Sequence, residues 1–341
     1  MGVQSRKFGE IDGTRVDAFT LSSDTQVEVD LMTFGAAVID WRVPAHTASG
    51  KRSVVLGFHH LEPYLDVAPH LGSIVGRVAG RISGAGFSMD GEEYRLPANE
   101  NGNTLHGGPS GMSRLTWQAW PDTEKTSVRF TAISQDGESG FPGRVTLSAT
   151  YTLLGNTLSL HVVGEPDRRT PLNIIQHIYF NLGAGRNVLD HRVQIDATAF
   201  LQTNDDMIPT GAIIPVARTR YDLRQARSMR DRFGRPMKFD LSYVLGADRD
   251  LESTVARVVG DDDQLQLSLA TTRPSLQFYN GIYTNIDKAG RSGRPYGAFS
   301  GFCLEDQGYV DAMNNRHFPP IWCDPSKPFD HTTRIEIGRL P

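Results

Sequence analysis

Residues 144–151 read Arg-Val-Thr-Leu-Ser-Ala-Thr-Tyr, and polar and apolar side chains alternate at every position. Successive side chains of a β-strand point to opposite faces of its sheet, so this alternation predicts a strand with one face in a core. The same period of two recurs at residues 26–31, 128–132, 158–162, 264–269 and 335–337. The chain is therefore predicted to be rich in half-buried strands.

Turn signals separate these strands. Asp12-Gly13 and Asp90-Gly91 lie between strand-like runs, and Asp-Gly is a strong signal for a two-residue hairpin turn. A long run with helical period is missing, and the best candidate for a short helix is 222–233, with Asp222 as its cap. No linker divides the chain. We therefore expect an all-β fold, a single large antiparallel β-sandwich that forms one domain over residues 1–341.

Composition excludes several classes of protein. The chain has 341 residues, of which 39% are hydrophobic, so it can form a large core. Its 35 basic and 39 acidic residues leave no basic excess, so we expect no nucleic-acid partner. No apolar run is long enough for a membrane span or a secretory signal. The two cysteines cannot build a disulfide framework, and we expect a cytoplasmic protein.

Two glycine-rich segments carry polar side chains that chemistry can use. Residues 76–81 read Gly-Arg-Val-Ala-Gly-Arg, and residue types alone favour a solvated turn. The alternative is that the guanidinium of Arg81 donates to hydroxyl groups or to an oxyanion. The polar loop 99–108 ends in His106-Gly107-Gly108, where the glycines leave space beside the imidazole. This loop is either exposed or forms one wall of a ligand site.

Four further polar side chains interrupt apolar runs. His177, in 171–183, is either a core histidine bonded to a carbonyl or an imidazole whose pKa lies near neutrality, suited to general acid catalysis. Glu305, in 302–307, is either part of a structural ion pair or a buried carboxylate that is a better base than an exposed one. Asp240 and Gln277 also stand on apolar strands, and neither is remarkable alone.

Other chemistries have weaker support. His59-His60 lacks the ligand spacing of a zinc motif, so we expect no metal site. Cys303 is more typical of a small core residue than of a thiol nucleophile. The sequence contains no nucleophile elbow, phosphate-binding loop or dinucleotide fingerprint.

Taken together, these segments resemble the aldose 1-epimerase (galactose mutarotase) family. The matching pieces occur in order along nearly the whole chain, at residues 76–81, 87–96, 103–108, 171–182, 206–211, 239–245, 276–281, 302–307 and 331–333. The resemblance implies one large domain of the β-supersandwich type that uses neither a metal nor an organic cofactor. It also implies an isomerase that interconverts the α and β anomers of a free monosaccharide, as a monomer or a homodimer.

The resemblance further implies a role for each candidate residue. His177 is expected to be the catalytic acid that protonates the ring oxygen, and Glu305 the catalytic base that takes the proton of the anomeric hydroxyl. His106 is expected to hold and polarise the region of the ring oxygen. The residues expected to bind the sugar hydroxyls are Arg81, Asp240 and Gln277.

The sequence departs from the family pattern beside several of these residues. Gly80 and Gln176 each replace the usual Asn, and Ile178 replaces a small polar residue. Leu241 replaces a common His, and Ile282 replaces a common Asn. Since polarity is lost at most of these positions, we predict that the epimerase chemistry is retained while the galactose preference is altered towards a less hydroxylated or otherwise unusual sugar.

Three other functions remain open at this point. Asp240 and Glu305 could be the carboxylate pair of a glycoside hydrolase, which requires a separation of about 5–5.5 Å or 6.5–9.5 Å. A sugar sensor without catalytic activity would also keep such a pocket. The departures further allow an isomerase that acts on another hemiacetal or lactol.

Overall fold

The computed structural model describes residues 1–68, 70–246 and 250–340, in which the regular structure is almost entirely β. In the first part of the chain, the strands are β1 (Gly2–Ile11), β2 (Thr14–Ser22), β3 (Glu28–Met32), β4 (Ala37–Pro44), β5 (Lys51–Ser53), β6 (Ile74–Val75), β7 (Arg81–Ile82), β8 (Gly86–Met89), β9 (Glu92–Arg95), β10 (Thr104–Leu105), β11 (Gln118–Asp122), β12 (Ser127–Ser134) and β13 (Val145–Leu154). In the second part, they are β14 (Thr157–Pro166), β15 (Thr170–Pro171), β16 (Ile175–Gln176), β17 (Arg192–Ile195), β18 (Ala199–Thr203), β19 (Pro209–Pro215), β20 (Asp240–Val244), β21 (Ala256–Val259), β22 (Leu265–Thr271), β23 (Ser275–Tyr279), β24 (Cys303–Gln307), β25 (Trp322–Cys323) and β26 (Phe329–Arg339). The helices are α1 (Glu62–Asp66) and single 3-10 turns at Ser83–Ala85, Met112–Arg114 and Glu138–Gly140.

Three larger sheets organise the described residues. An eight-stranded sheet has the order β11-β12-β13-β14-β26-β22-β21-β17. One five-stranded sheet has the order β1-β2-β3-β4-β5, and the other has the order β19-β18-β20-β23-β24. The strands within each of these sheets pair antiparallel. The all-β prediction is therefore confirmed.

The two predicted hairpins form at the Asp-Gly dipeptides. Ile11 pairs with Thr14 around Asp12-Gly13, and β8 pairs with β9 around Asp90-Gly91. All four turn residues have positive φ, between 47° and 85°. A type I′ turn needs positive φ at both central residues, which is why Asp-Gly predicts it.

Period-two burial builds the core, as β13 shows. Val145, Leu147, Ala149, Tyr151 and Leu153 are buried, and the side chains between them are half-buried. They belong to one large apolar cluster that also receives side chains from the two five-stranded sheets, such as those of Trp41 and Phe278. This shared core packs the three sheets against one another.

One expectation about local structure is wrong. Residues 222–233 form turns rather than a helix, because the Asp222 carboxylate accepts a hydrogen bond from the backbone N–H of Arg224 and pairs with its guanidinium. Such local bonds compete with the helix. The glycine-rich segment 285–301 packs on the core through Tyr296, whose hydroxyl donates to the Gly57 carbonyl at 2.8 Å.

No helix within residues 1–68, 70–246 and 250–340 is both long enough and apolar enough to cross a membrane.

Truncation of the β13 core face should destabilise the fold. We expect Leu147→Ala to lower the free energy of unfolding by about 2–5 kcal/mol, because it removes a fully buried side chain and leaves a cavity. The matched control is Thr146→Ala on the opposite face of the strand, with an expected loss below about 1 kcal/mol. Urea unfolding followed by tryptophan fluorescence measures both, and equal losses would contradict the assignment of faces.

Candidate active site

A cavity of about 230 Å³ brings together the six side chains to which the sequence assigns catalytic or sugar-binding roles. Strands β20, β23 and β24 supply Asp240, Gln277 and Glu305 to its wall. Shorter strands and loops supply Arg81, His106 and His177. These six side chains come from segments spread over most of the chain, and the packing of the sheets makes them neighbours.

Strand alternation aims Glu305 into the cavity. Gln277 on β23 is the register partner of Glu305 on β24, so both side chains leave the sheet on the same face. Gln307 lies two residues further along β24 and also lines the cavity. The residue between them, Asp306, points into the interior behind the sheet, where it is buried.

His177 lies just beyond a strand rather than inside one. The two-residue strand β16 ends at Gln176 and pairs with β6. The His177 backbone is held at both ends, since its N–H donates to Ser73 at 2.9 Å and its carbonyl accepts from Gly72 at 2.8 Å. The interpretation of His177 as part of an apolar strand is therefore wrong, although its backbone is fixed as firmly.

His177 and Glu305 face each other in this cavity. The distance from His177 Nε2 to Glu305 Oε1 is 3.5 Å, and the side chains of both residues are only 6% exposed. Burial lowers the pKa of His177 to about 3, and the neighbouring His70 adds to this effect. The pKa of Glu305 is raised to about 8, mainly by burial. The nearby Asp240 carboxylate contributes to this rise, and the charge of Arg81 opposes it. Between these two values the pair holds one proton, which rests on Glu305. The expectation that the pKa of His177 lies near neutrality is therefore wrong.

Two more histidines surround this pair. The rings of His70 and His106 have centres 5.0 Å apart, and those of His106 and His177 are 5.2 Å apart. Burial lowers the pKa of His70 to about 4 and that of His106 well below its usual value. His106 is thus neutral, and its Nδ1 accepts from the Gly80 N–H at 3.3 Å. The remaining proton of the ring lies on Nε2, which makes His106 a hydrogen-bond donor.

Arg81 is held by a carboxylate that sequence reasoning missed. Its Nε and Nη2 donate to the two carboxylate oxygens of Glu100 at 2.5 and 2.9 Å, and both residues line the cavity. The solvated-turn interpretation of 76–81 is wrong for both arginines, because Arg77 is buried and donates to backbone carbonyls, including that of Pro142. Glu100 lies in the loop 99–108, so charge complementarity with Arg81 was the available signal.

The Asp240 carboxylate is held by a hydrogen bond, and burial shifts its pKa. Gln277 Nε2 donates to Asp240 Oδ1 at 2.7 Å. Burial raises the pKa of Asp240, whereas the charge of Arg81 opposes the shift. The cavity thus contains several carboxylates and one guanidinium, together with amide and imidazole donors. Such a set suits a neutral ligand that carries many hydroxyl groups.

Comparison with known proteins identifies the family of this chain. Residues 17–336 match the family model described as aldose 1-epimerase. The chain is 39% identical to the galactose mutarotase of Rattus norvegicus over 97% of each chain, and 33% identical to the aldose 1-epimerase of Escherichia coli K12 over 92% of each. The chain belongs to the aldose 1-epimerase family. Membership places it among the carbohydrate epimerases, which are isomerases.

Solved structures show the same architecture. The crystal structure of an aldose epimerase homologue from C. elegans superposes with a TM-score of 0.88 at 25% identity, over 94% of this chain and 98% of that one. A galactose 1-epimerase from Lactobacillus acidophilus superposes with a TM-score of 0.83 at 23% identity, over 99% of each chain. The galactose mutarotase-like fold predicted from the sequence is therefore confirmed.

Only some departures from the family pattern reach the cavity. Gly80 and Leu241 line it. Gln176 does not, because its amide nitrogen donates to the hydroxyl of Tyr151 at 3.1 Å in the core. Ile282 is likewise outside the lining. The lining contains further apolar residues, namely Leu105, Leu201, Met207, Pro209 and Val310, of which Val310 lies beside Gly80.

One group of side chains in the described residues has the spacing of a metal site. Ligand atoms of His177, Cys303 and Glu305 all lie within 4.8 Å of one another. The thiol lies 3.6 Å from Nδ1 of His177, whereas the carboxylate lies near Nε2, so the two approach different ring nitrogens. Burial raises the pKa of the Cys303 thiol well above its usual value, which disfavours the thiolate that binds metals. The donor set fits proton exchange better than a metal ion.

The protonation of Glu305 is directly measurable. Its carboxyl should remain protonated at pH 6 and ionise with a midpoint near 8, since burial raises its pKa to about 8. Carbon-13 NMR of protein labelled at the glutamate carboxyl group follows this titration, and Glu305→Gln identifies the resonance by its loss. A midpoint near 4.5, the ordinary value, would contradict the desolvated environment.

Proposed function

We propose that this chain is a mutarotase that interconverts the α and β anomers of a free aldose by general acid and base catalysis. The observation that carries the proposal is the juxtaposition of His177 Nε2 and Glu305 Oε1, 3.5 Å apart in a buried cavity. Anomer exchange requires one proton to leave the anomeric hydroxyl and one to reach the ring oxygen. An acid and a base in one cavity supply both transfers, each contributing on the order of 10²–10⁴-fold.

The proton balance of the pair matches this reaction. In its reactive form, the Glu305 carboxylate takes the proton of the anomeric hydroxyl, and protonated His177 gives its proton to the ring oxygen. The C1–O5 bond breaks, C1 becomes an aldehyde, and rotation about C1–C2 presents its other face. The reverse transfers then close the ring and return both groups to their starting state.

Substrate binding prepares the reactive form. In the empty cavity the single proton of the pair rests on Glu305, because desolvation penalises both charged groups. Sugar hydroxyls that donate to Glu305 favour its carboxylate and lower its pKa. The proton then moves to His177, and the total charge of the pair does not change.

The other cavity residues are suited to holding the sugar. His106 offers an Nε2–H donor for the region of the ring oxygen. Glu100 occupies Nε and Nη2 of Arg81, which leaves Nη1 for a sugar hydroxyl. Asp240 and Gln277 supply an acceptor and an amide to the same cavity. Because the lining extends from His70 to Val310, we propose that residues 1–341 act as one domain.

Removal of either proton-transfer group should abolish most of the activity. We expect His177→Ala and Glu305→Ala each to lower kcat by on the order of 10²–10⁴-fold. Arg81→Ala should instead act mainly on KM, because it binds substrate in both the ground state and the transition state. Anomer exchange, measured by saturation-transfer NMR on equilibrated sugar, gives the rates after subtraction of the buffer reaction. Unchanged kcat in His177→Ala and Glu305→Ala would refute the mechanism, and hydrolysis of a nitrophenyl glycoside would support a hydrolase instead.

A less hydroxylated sugar is the preferred substrate class within this proposal. Gly80 and Leu241 present no polar side chain to the cavity, and Val310, which lies beside Gly80, and Met207 are further apolar residues of its lining. A hydroxyl that faces such a wall loses its hydrogen bonds with water without replacement, which costs about 1–3 kcal/mol.

A sugar panel tests this preference. We expect kcat/KM for at least one of fucose, arabinose and xylose to exceed that for galactose, by about 5- to 100-fold if one buried hydroxyl decides the difference. Anomer exchange on galactose, glucose, arabinose, fucose and xylose under identical conditions supplies the comparison. A strong preference for galactose would show that the departures do not alter specificity.

A further inference from the structure

A buried polar network lies directly behind Glu305. The carboxylate of Asp306, the next residue on β24, accepts hydrogen bonds from His331 Nε2 and Thr333 Oγ1, both at 2.6 Å. A third donor to the same oxygen is the hydroxyl of Thr271. His331 and Thr333 lie on β26 and Thr271 on β22, so the network joins β24 to the eight-stranded sheet.

The same network reaches the segment that carries His177. His331 Nδ1 lies 3.3 Å from the backbone carbonyl oxygen of Ile174, three residues before His177. Both nitrogens of the His331 ring therefore face acceptors, one on each side. The ring bridges the strand of Glu305 and the segment of His177, and it is only 1% exposed.

A second set of bonds ties the same two elements together. The side-chain oxygen of Asn173 accepts from the Gly308 N–H at 2.7 Å, and its amide nitrogen donates to Gln307 Oε1 at 3.3 Å. Asn173 is fully buried. The C-terminal end of β24, just beyond Glu305, is thus bonded to Asn173, four residues before His177.

We propose that Asp306 and His331 are positioning residues, which hold the His177 segment and β24 at the separation that proton exchange between His177, substrate and Glu305 requires. This inference rests on the proposed function, since it concerns the same pair. An apolar core of similar volume would stabilise the fold as well as this buried ionic network does. The network differs from an apolar core because its hydrogen bonds have fixed lengths and directions, which set a geometry.

The geometry of the pair leaves little tolerance. Groups that exchange protons through a substrate must be held within about 0.5 Å of their productive positions, and a displacement of about 1 Å can cost on the order of 10²-fold in rate. Apart from the Glu305 carboxylate, the ring of His177 contacts β24 only at its edge, through the Cys303 thiol 3.6 Å from Nδ1, and the Glu305 side chain has no hydrogen bond to the backbone of His177. Their spacing therefore depends on the elements that carry them.

Two substitutions break the bridge. His331→Gln removes the two-ended contact, and Asp306→Asn keeps the size of the side chain but removes its charge. We expect each to lower kcat by roughly 10- to 100-fold while KM changes less than about threefold, because alignment matters most in the transition state. Crystal structures of both variants should show the distance from His177 Nε2 to Glu305 Oε1 changed by more than about 0.5 Å.

The control separates positioning from stability. Tyr64→Phe removes a fully buried hydroxyl that accepts from the Phe58 N–H at 2.8 Å, outside the cavity. It should lower Tm and leave kcat unchanged. A purely structural role for Asp306 and His331 predicts that their variants behave like Tyr64→Phe, with lower Tm and normal kcat, and that outcome would overturn the inference.

The remaining outcomes are also decisive. If His331→Gln does not fold, Asp306→Asn alone decides by the same criteria. If the wild-type protein shows no anomer exchange, the proposed function fails, and the measured distance still tests the positioning role. An unchanged distance in both variants would refute that role whatever the activity.

Discussion

His177 and Glu305 lose their hydration together when the sheets close around them, and this shared desolvation governs the chemistry of the cavity. In water an imidazole and a carboxylic acid have pKa values that leave the carboxyl as the ionised group at neutral pH. Burial reverses their order, because it lowers the pKa of His177 to about 3 and raises that of Glu305 to about 8. The pair holds one proton over the range between these values, and in the proposed mechanism the hydrogen bonds of a bound sugar to Glu305 shift that proton to His177.

Strand β24 links this electrostatic constraint to the fold. Glu305 and Asp306 are adjacent and point to opposite faces, so one strand presents a base to the cavity and an anchor to the core. Their environments differ accordingly. Burial and the Asp240 charge raise the pKa of Glu305. Burial also acts to raise the pKa of Asp306, but the electrostatic interaction and hydrogen bond with His331 outweigh it and hold that pKa below its usual value. A register slip of one residue would exchange the two carboxylates and destroy both arrangements.

The sequence predicts the parts of this protein that depend on local pattern. Period two located the strands, and the two Asp-Gly turns located hairpins, because both signals are properties of neighbouring residues. The order of the family motifs along the chain identified six side chains, all of which line one cavity. Features that depend on contacts between residues distant in the sequence were missed. Glu100 and His70 were not singled out, since only tertiary packing places them beside Arg81 and His106. The pKa of His177 was misjudged because burial depends on the whole fold, and 222–233 was misread because Asp222 bonds to its own turn.

Gly80 shows why the substrate preference depends on pairs of residues. Its φ of +75° lies in the left-handed region, which glycine and asparagine tolerate better than other residues. A β-carbon built at Gly80 would lie only 3.1 Å from both γ-methyl groups of Val310, which also lines the cavity. A polar side chain at position 80 would thus require Val310 to move. The absence of a side chain at Gly80 and the branched side chain of Val310 are therefore complementary, because a larger residue at position 80 fits only if Val310 gives way by a few tenths of an ångström.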